Sequence, residues 1–223
     1  MHTTPLTVSN HHLFASIDGR DWLVDTGAPT SFGDLAELVI DDWEFSIPQD
    51  YLGLSADRLS QHVGHSTAGL IGVDILNEFD TVFDIGAGEI SFSDDAVACD
   101  GDVLSLDQFM GIPIADVTMQ SKRLRVFVDT GAQIGYLPRD VVSSQPSMGA
   151  MTDFYPGVGE FETDTYLVQI RLGGCELRMR CGCLPGLLGM TLQLAGVDGI
   201  LSNQIFIDRK VGYFPRRGEL VLA

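Results

Sequence analysis

Val24-Asp25-Thr26-Gly27 and Val128-Asp129-Thr130-Gly131 are the same four residues, 104 positions apart (129 − 25). Each copy closes an apolar run, Trp22-Leu23-Val24 in one case and Leu124-Arg125-Val126-Phe127-Val128 in the other. A carboxylate at the end of an apolar strand is costly unless something satisfies or uses it. Two such carboxylates in matching contexts are expected to face each other. A lone Asp-Thr-Gly reads equally well as a strand-end turn, because Asp and Gly both suit turns. A second copy, in register with its surroundings, weakens that reading.

The surroundings do repeat. Leu13 to Ile17 and Trp22 to Asp25 flank Asp18-Gly19, a hairpin signal, after a short first strand over Leu6 to Val8. Ile112 to Met119 and Leu124 to Asp129 flank Gln120-Ser121-Lys122 in the same way. Ala28 and Phe32 follow the first triplet, with Phe32 expected in the core; Ala132 and Tyr136-Leu137 follow the second. Further on, Gly69-Leu70-Ile71-Gly72 pairs with Val197-Asp198-Gly199-Ile200-Leu201-Ser202, and each runs into a helical turn. A last hairpin closes each half, around Gly86-Ala87-Gly88 and around Pro215-Arg216-Arg217-Gly218. Four landmarks in one order indicate a duplicated unit with a period too long for a solenoid. Residues 1–102 and 103–223 are the expected lobes, joined by the polar, acidic segment Ser93 to Asp102.

Between the landmarks the signals are weaker. Leu35 to Ile40 reads as a short helix or a strand, and Ser55 as the cap of a short helix. His62 and His65 read as surface polar residues, as do the acids Asp80 and Asp84, assigned to surface or turn duty. The 25 glycines and nine prolines, with little helical periodicity, suit many short strands and tight turns. The expected class is all-β.

With 31 acidic against 13 basic residues, the net charge of −18 repels phosphate backbones and anionic lipid. Nucleic-acid and membrane-surface roles are therefore disfavoured. A solvated acidic surface and an attraction for basic substrates both remain open. No window approaches the eighteen or so apolar residues that span a bilayer, and Met1 to Ser9 lacks the pattern of a signal peptide. Cysteines at 99, 175, 181 and 183 make a poor disulfide framework, which points to a reduced, cytoplasmic protein. Cys175, Cys181 and Cys183 lack a fourth ligand nearby, so structural thiols are expected and no metal.

These residues resemble the aspartic peptidases, the family of pepsin and the retroviral proteases. The signature is Asp-Thr-Gly after an apolar strand, followed downstream by two apolar residues and a glycine. Here that is Asp25-Thr26-Gly27 with Leu70-Ile71-Gly72, and Asp129-Thr130-Gly131 with Gly199 in a looser context. The resemblance covers nearly the whole chain. It implies a bilobal acid-protease-like β-barrel fold with pseudo-twofold symmetry, and Asp25 and Asp129 as the catalytic pair. Thr26 and Thr130 would interlock the two loops, while Gly27 and Gly131 allow their close approach. It also implies a peptide or protein substrate, no cofactor, and a monomer that is complete in one chain.

The family needs a β-hairpin flap between triplet and downstream glycine. That interval is 47 residues in the first half (72 − 25) and 70 in the second (199 − 129). Phe154-Tyr155-Pro156-Gly157-Val158-Gly159-Glu160-Phe161 looks like a flap tip, with Tyr155, Gly157, Val158 and Gly159 as substrate-binding candidates. Tyr155 reads equally as a strand aromatic. A single flap in the C-terminal lobe is expected. Ala28 and Ala132 stand where pepsins usually carry a hydroxyl, which implies a weakly acidic pH optimum. The competing reading is an aspartic-peptidase-like peptide-binding protein without turnover, its first lobe too reduced to close the cleft.

Overall fold

The structure is a computed structural model of the 223-residue chain and describes residues 1–155 and 159–223. Strands make up 52% of the chain and helices 14%, which makes the protein all-β. Two sheets carry the architecture. The larger has ten strands, in the order Asp102–Ser105, Glu219–Leu222, Lys210–Phe214, Asp80–Asp84, Glu89–Ser93, His2–Ser9, His12–Ile17, Arg20–Val24, Gly69–Ile71 and Phe32–Gly33. The other has eight strands, all drawn from residues between Asp107 and Leu201.

The chain's last hairpin thus sits in the sheet of its first half. Lys210–Phe214 pairs antiparallel with Asp80–Asp84, and Glu219–Leu222 takes Asp102–Ser105 on its other side. Buried side chains from Leu6 to Leu222 form one continuous core cluster. Asp80 lies under this seam at 1% exposure and is no surface residue. It pairs with both Arg216 and Arg217 and accepts from the Val97 amide at 2.9 Å. An acid that deep is tolerable only with such partners, and the two arginines that supply them lie more than a hundred positions away. Asp84, by contrast, caps its turn through the Ala87 amide and meets Lys210 at the surface.

Local chemistry explains the paired hairpins. Asp18 and Gly19 adopt φ of 51° and 72°, the left-handed pair that a two-residue turn between twisted strands requires. Gln120 stands at the matching place with φ of 56°, and Lys122 already belongs to its strand. Phe32 is buried at 1% exposure. The open stretch at Leu35 resolves as a strand, Glu37–Ile40, whose Leu38 and Ile40 alternate inward. Ser55 caps the helix Ala56–Val63 by accepting from the Arg58 amide.

The downstream landmarks pair differently from the sequence match. Gly69–Ile71 runs parallel to Arg20–Val24, and Gly199–Leu201 runs parallel to Lys122–Val128 in the same register. Gly199 therefore corresponds to Gly69, and the counterpart of Gly72 is Ser202. The same backbone bonds fix this: Asp25 N–H donates to Ile71 O and Asp129 N–H to Leu201 O, both at 2.9 Å. Glycine at 69 and 199 has a shared cause. A Cβ there would overlap the carbonyl of Phe32 or Tyr136 on the neighbouring strand.

The true intervals are then 44 residues (69 − 25) against 70 (199 − 129). The long one holds two hairpins, Ser147–Tyr155 with Gly159–Leu172 and Gly159–Leu172 with Cys175–Gly182. The short one holds the small pairs Glu37–Ile40 with Trp43–Ser46 and Asp50–Tyr51 with Leu54–Ser55, besides Phe32–Gly33 and the helix Ala56–Val63.

Candidate active site

The end of Arg20–Val24 and the end of Lys122–Val128 bring the two triplets face to face. Thr26 and Thr130 are fully buried and bond reciprocally. The Thr26 amide donates to Thr130 Oγ1 at 2.9 Å and the Thr130 amide to Thr26 Oγ1 at 3.0 Å. Each hydroxyl donates onward across the seam, Thr26 to Val128 O and Thr130 to Val24 O, both at 2.7 Å. The amides and hydroxyls of both threonines are satisfied, as burial demands. The result is a rigid cross-tie between strands a hundred positions apart.

That tie sets the carboxyls. Asp25 and Asp129 face each other across it, each carboxyl lying against the glycine that follows the other's threonine. Gly27 N–H donates to Asp25 Oδ1 at 2.8 Å; Gly131 N–H and Ala132 N–H donate to Asp129 Oδ1 at 2.9 and 3.1 Å. Glycine is required beside each acid by space, since a Cβ at Gly27 would overlap the Asp129 carboxyl and one at Gly131 that of Asp25. Both acids keep part of their surface open while packed deeply among protein atoms, as groups on a cleft floor do.

Electrostatics follow from that placement. Burial raises both pKa values above the ordinary carboxylate value, most strongly at Asp129, where the charge of Asp25 adds to it. Neighbouring carboxyls of this kind hold one proton between them well above pH 4, and the proton belongs to the pair.

The loops around the pair are braced unequally. In the first half Ser31 N–H and Oγ donate to Asp74, at 2.9 and 2.5 Å, and the Gly72 amide donates to Ser31 Oγ at 2.8 Å. In the second half Gln204 does this work: its Nε2 donates to Gln133 O at 2.7 Å and its Oε1 accepts from the Arg180 amide at 2.9 Å. Gln133 Nε2 donates to Asn10 O and to His12 Nε2. His12 is therefore neutral, and burial lowers its pKa to about 4. None of these braces was a candidate from sequence, because each joins residues tens of positions apart with no local pattern.

The long hairpin reaches across to the first half. Phe154 stacks on His62 with ring centroids 3.7 Å apart and packs against the first-half cluster that includes Phe32, Leu59 and Leu70. Its neighbour Tyr155 is 42% exposed, and its phenol is raised by burial and by the charges of Asp129, Tyr51 and Asp25. Gly159 begins the return strand with φ of 94°. Gly157 and Val158 lie outside the described residues. His62 is exposed, as its reading as a surface residue expects, and its ring also joins the hairpin to helix Ala56–Val63. His65 stacks on Phe14 and meets Asp21 at 2.8 Å.

All four cysteines are free, with Cys181 and Cys183 buried. Among the described residues no cluster of three or more His, Cys, Asp or Glu is placed to hold a metal, and no helix is long and apolar enough to cross a membrane.

No protein-family model and no curated protein matches the chain. Among solved structures it is similar to the solution structure of the Simian Foamy Virus (mac) protease. The likeness is 16% in identity, covers 40% of this chain and 87% of that one, and has a TM-score of 0.30.

Proposed function

We propose that the chain is an aspartic endopeptidase in which residues 1–102 and 103–223 act as two lobes, each giving one carboxyl to a shared site. The observation that carries this reading is the facing Asp25–Asp129 pair, cross-tied by Thr26 and Thr130 and partly open at its surface. An extended peptide lies across the pair, under the hairpin that carries Tyr155.

The ionised member of the pair takes a proton from a water molecule, whose oxygen bonds to the scissile carbonyl carbon. The protonated member donates to the carbonyl oxygen. As the tetrahedral centre collapses, the C–N bond breaks and the leaving nitrogen receives a proton from the pair. Raised pKa values keep one proton on the pair at weakly acidic pH, where the other carboxyl is still ionised. The amides of Gly27, Gly131 and Ala132 hold both groups in orientation through the cycle.

Cleavage of a diverse peptide mixture between pH 3 and 7, beside an Asp129→Asn variant, tests this reading. Products that vanish in the variant support the peptidase. The short first-half interval, with no long hairpin, favours one competing reading: a peptide-binding protein without turnover. Retained peptide binding with no product at any pH would select it.

A further inference from the structure

Six of the eleven arginines pair with a carboxylate, leaving Arg58, Arg139, Arg178, Arg180 and Arg209 without one among the described residues. Three of those five, Arg178, Arg180 and Arg209, line one cleft of about 550 Å³. In a chain of net charge −18, chance would place acids around such cations, so the concentration of free guanidinium is informative. The acids on the same cleft do not neutralise it. Glu176 is held by Arg171 at 3.1 Å and by Gln169 at 3.0 Å, and Asp208 sits on the exposed rim.

The cleft adjoins the catalytic loop. Its inner wall includes Gln133 and Ile134, four and five residues past Asp129, and Met151 of the long hairpin. Gln204 ties Gln133 O to the Arg180 amide, so the arginine strand is one side chain away from the loop. Arg180 is itself aimed by its bonds to Thr165 Oγ1 at 2.8 Å and Met148 O at 3.3 Å.

We propose that this cleft seats the carboxylate of an Asp or Glu in an extended peptide substrate, a few residues from the scissile bond on the Gln133 side. The inference rests on the peptidase reading and adds a substrate class to it. Guanidinium forks match carboxylates in a bidentate way, and a partly enclosed cleft strengthens the attraction. A protein acidic overall would thus favour an acidic residue at one substrate position, with its local field opposing the global one.

The test is a peptide series identical except for Glu or Gln at successive positions, with kcat/KM measured for wild type and an Arg178→Gln/Arg209→Gln variant. A charged hydrogen bond contributes about 1.5–3 kcal/mol, so Glu at one position should raise kcat/KM roughly tenfold or more over Gln. That ratio should fall towards one in the variant and in high salt, and stay unchanged in Arg139→Gln, which removes an exposed unpaired charge elsewhere. No position favouring Glu, or a preference that survives in the variant, overturns the proposal. Absence of any cleavage by wild type would sink the peptidase reading instead. Fluorescence anisotropy of the same Glu and Gln peptides then still decides the cleft: tighter Glu binding lost in the variant supports it, and equal binding rejects it.

Discussion

The two halves agree at the triplets and diverge almost everywhere else. Thr26 and Thr130 make the same bonds at nearly the same lengths, and Gly27 and Gly131 meet the opposite acid in the same way. Away from that junction, one half spends 44 residues on small strand pairs and a helix, and the other spends 70 on two long hairpins and two helices. The braces differ too, Ser31 with Asp74 in one and Gln204 with Gln133 in the other. On the peptidase reading, a reaction at a symmetric pair constrains both copies of the loop equally. Covering a substrate is needed only once, so the surroundings are free to drift apart.

If the pair works as a unit, its members are equally indispensable. Asp25→Asn and Asp129→Asn should each lower kcat by at least the 10²–10⁴-fold typical of positioned acid–base groups, and the double variant should be no worse than either single one. Steady-state kinetics on one cleaved peptide suffice. An active single variant would break the equivalence of the halves at its centre.

The cross-tie offers the same comparison in stability. Thr26→Ala orphans the buried Thr130 amide and Val128 carbonyl; Thr130→Ala orphans the Thr26 amide and Val24 carbonyl. Each should cost about 4 kcal/mol, two unsatisfied groups at roughly 1–3 kcal/mol apiece. Denaturant unfolding of both variants checks it. Costs differing by more than about 1.5 kcal/mol would mean that the halves share geometry here without sharing its energetics.

His12 has no counterpart of its own kind. Register from the hairpin turns places Ile114 at the matching position, an apolar side chain at 4% exposure. A histidine whose folded pKa is lowered from 6.5 to about 4 leaves the folded state with fewer protons than the unfolded one across that window. Stability is therefore lost as pH falls from 6.5 towards 4, by about 3 kcal/mol at 1.36 kcal/mol per pH unit. The carboxyl pair acts oppositely. Its raised values contribute stability that is full below the unfolded pKa near 4 and is lost as pH rises through the folded values. Comparing melting midpoints of wild type and His12→Leu from pH 4 to 7 isolates the histidine. The two curves should converge towards neutrality and separate in acid, with the wild type lower, and parallel curves would refute the assignment.

How much of this was legible in the sequence follows from which residues carry it. The triplets, their preceding strands and the hairpins at Asp18-Gly19 and Gln120-Ser121 could be read because period-two alternation and turn chemistry are local. The Gly72–Gly199 match slipped by three residues because the glycine that the strand pairing needs, Gly69, precedes the one that stands out by eye. The Ser202 backbone accommodates a side chain where Gly72 does not: a Cβ at 72 would lie 2.6 Å from Ala28 O. Asp80 was misread as a surface acid because nothing near it in sequence announces Arg216 and Arg217. The stack of His62 on Phe154 and the arginine cleft were invisible for the same reason. Their partners are set by how the long hairpin and its sheet fold back, and that is a tertiary fact.

That slip yields the next test. Gly72→Ser forces a Cβ against the Ala28 carbonyl and the Thr30 backbone, and overpacking of this kind costs about 1–3 kcal/mol. The reverse change, Ser202→Gly, removes a buried hydroxyl that accepts from the Gln204 amide only at 3.4 Å, and should cost about 1 kcal/mol or less. Thermal unfolding of the two variants compares the halves at equivalent positions. Equal costs would mean that the structural equivalence of 72 and 202 does not extend to packing.

The smallest expected difference lies at the hairpin turns. Asp18-Gly19 supplies residues suited to left-handed backbone, whereas Gln120 holds φ of 56° with a side chain that gains nothing from that conformation. Gln120→Asn keeps a polar residue but tolerates positive φ better, and should raise stability by about 0.5 kcal/mol. The turn is exposed and distant from the triplets, so cleavage rates should not change. Installing the first half's Asp-Gly pair at 120 and 121 should gain no more, since only position 120 holds positive φ in this turn. A loss of stability in either variant would show that the second hairpin depends on its Gln-Ser pair for more than closing the turn, and that the two hairpins are less alike than their registers.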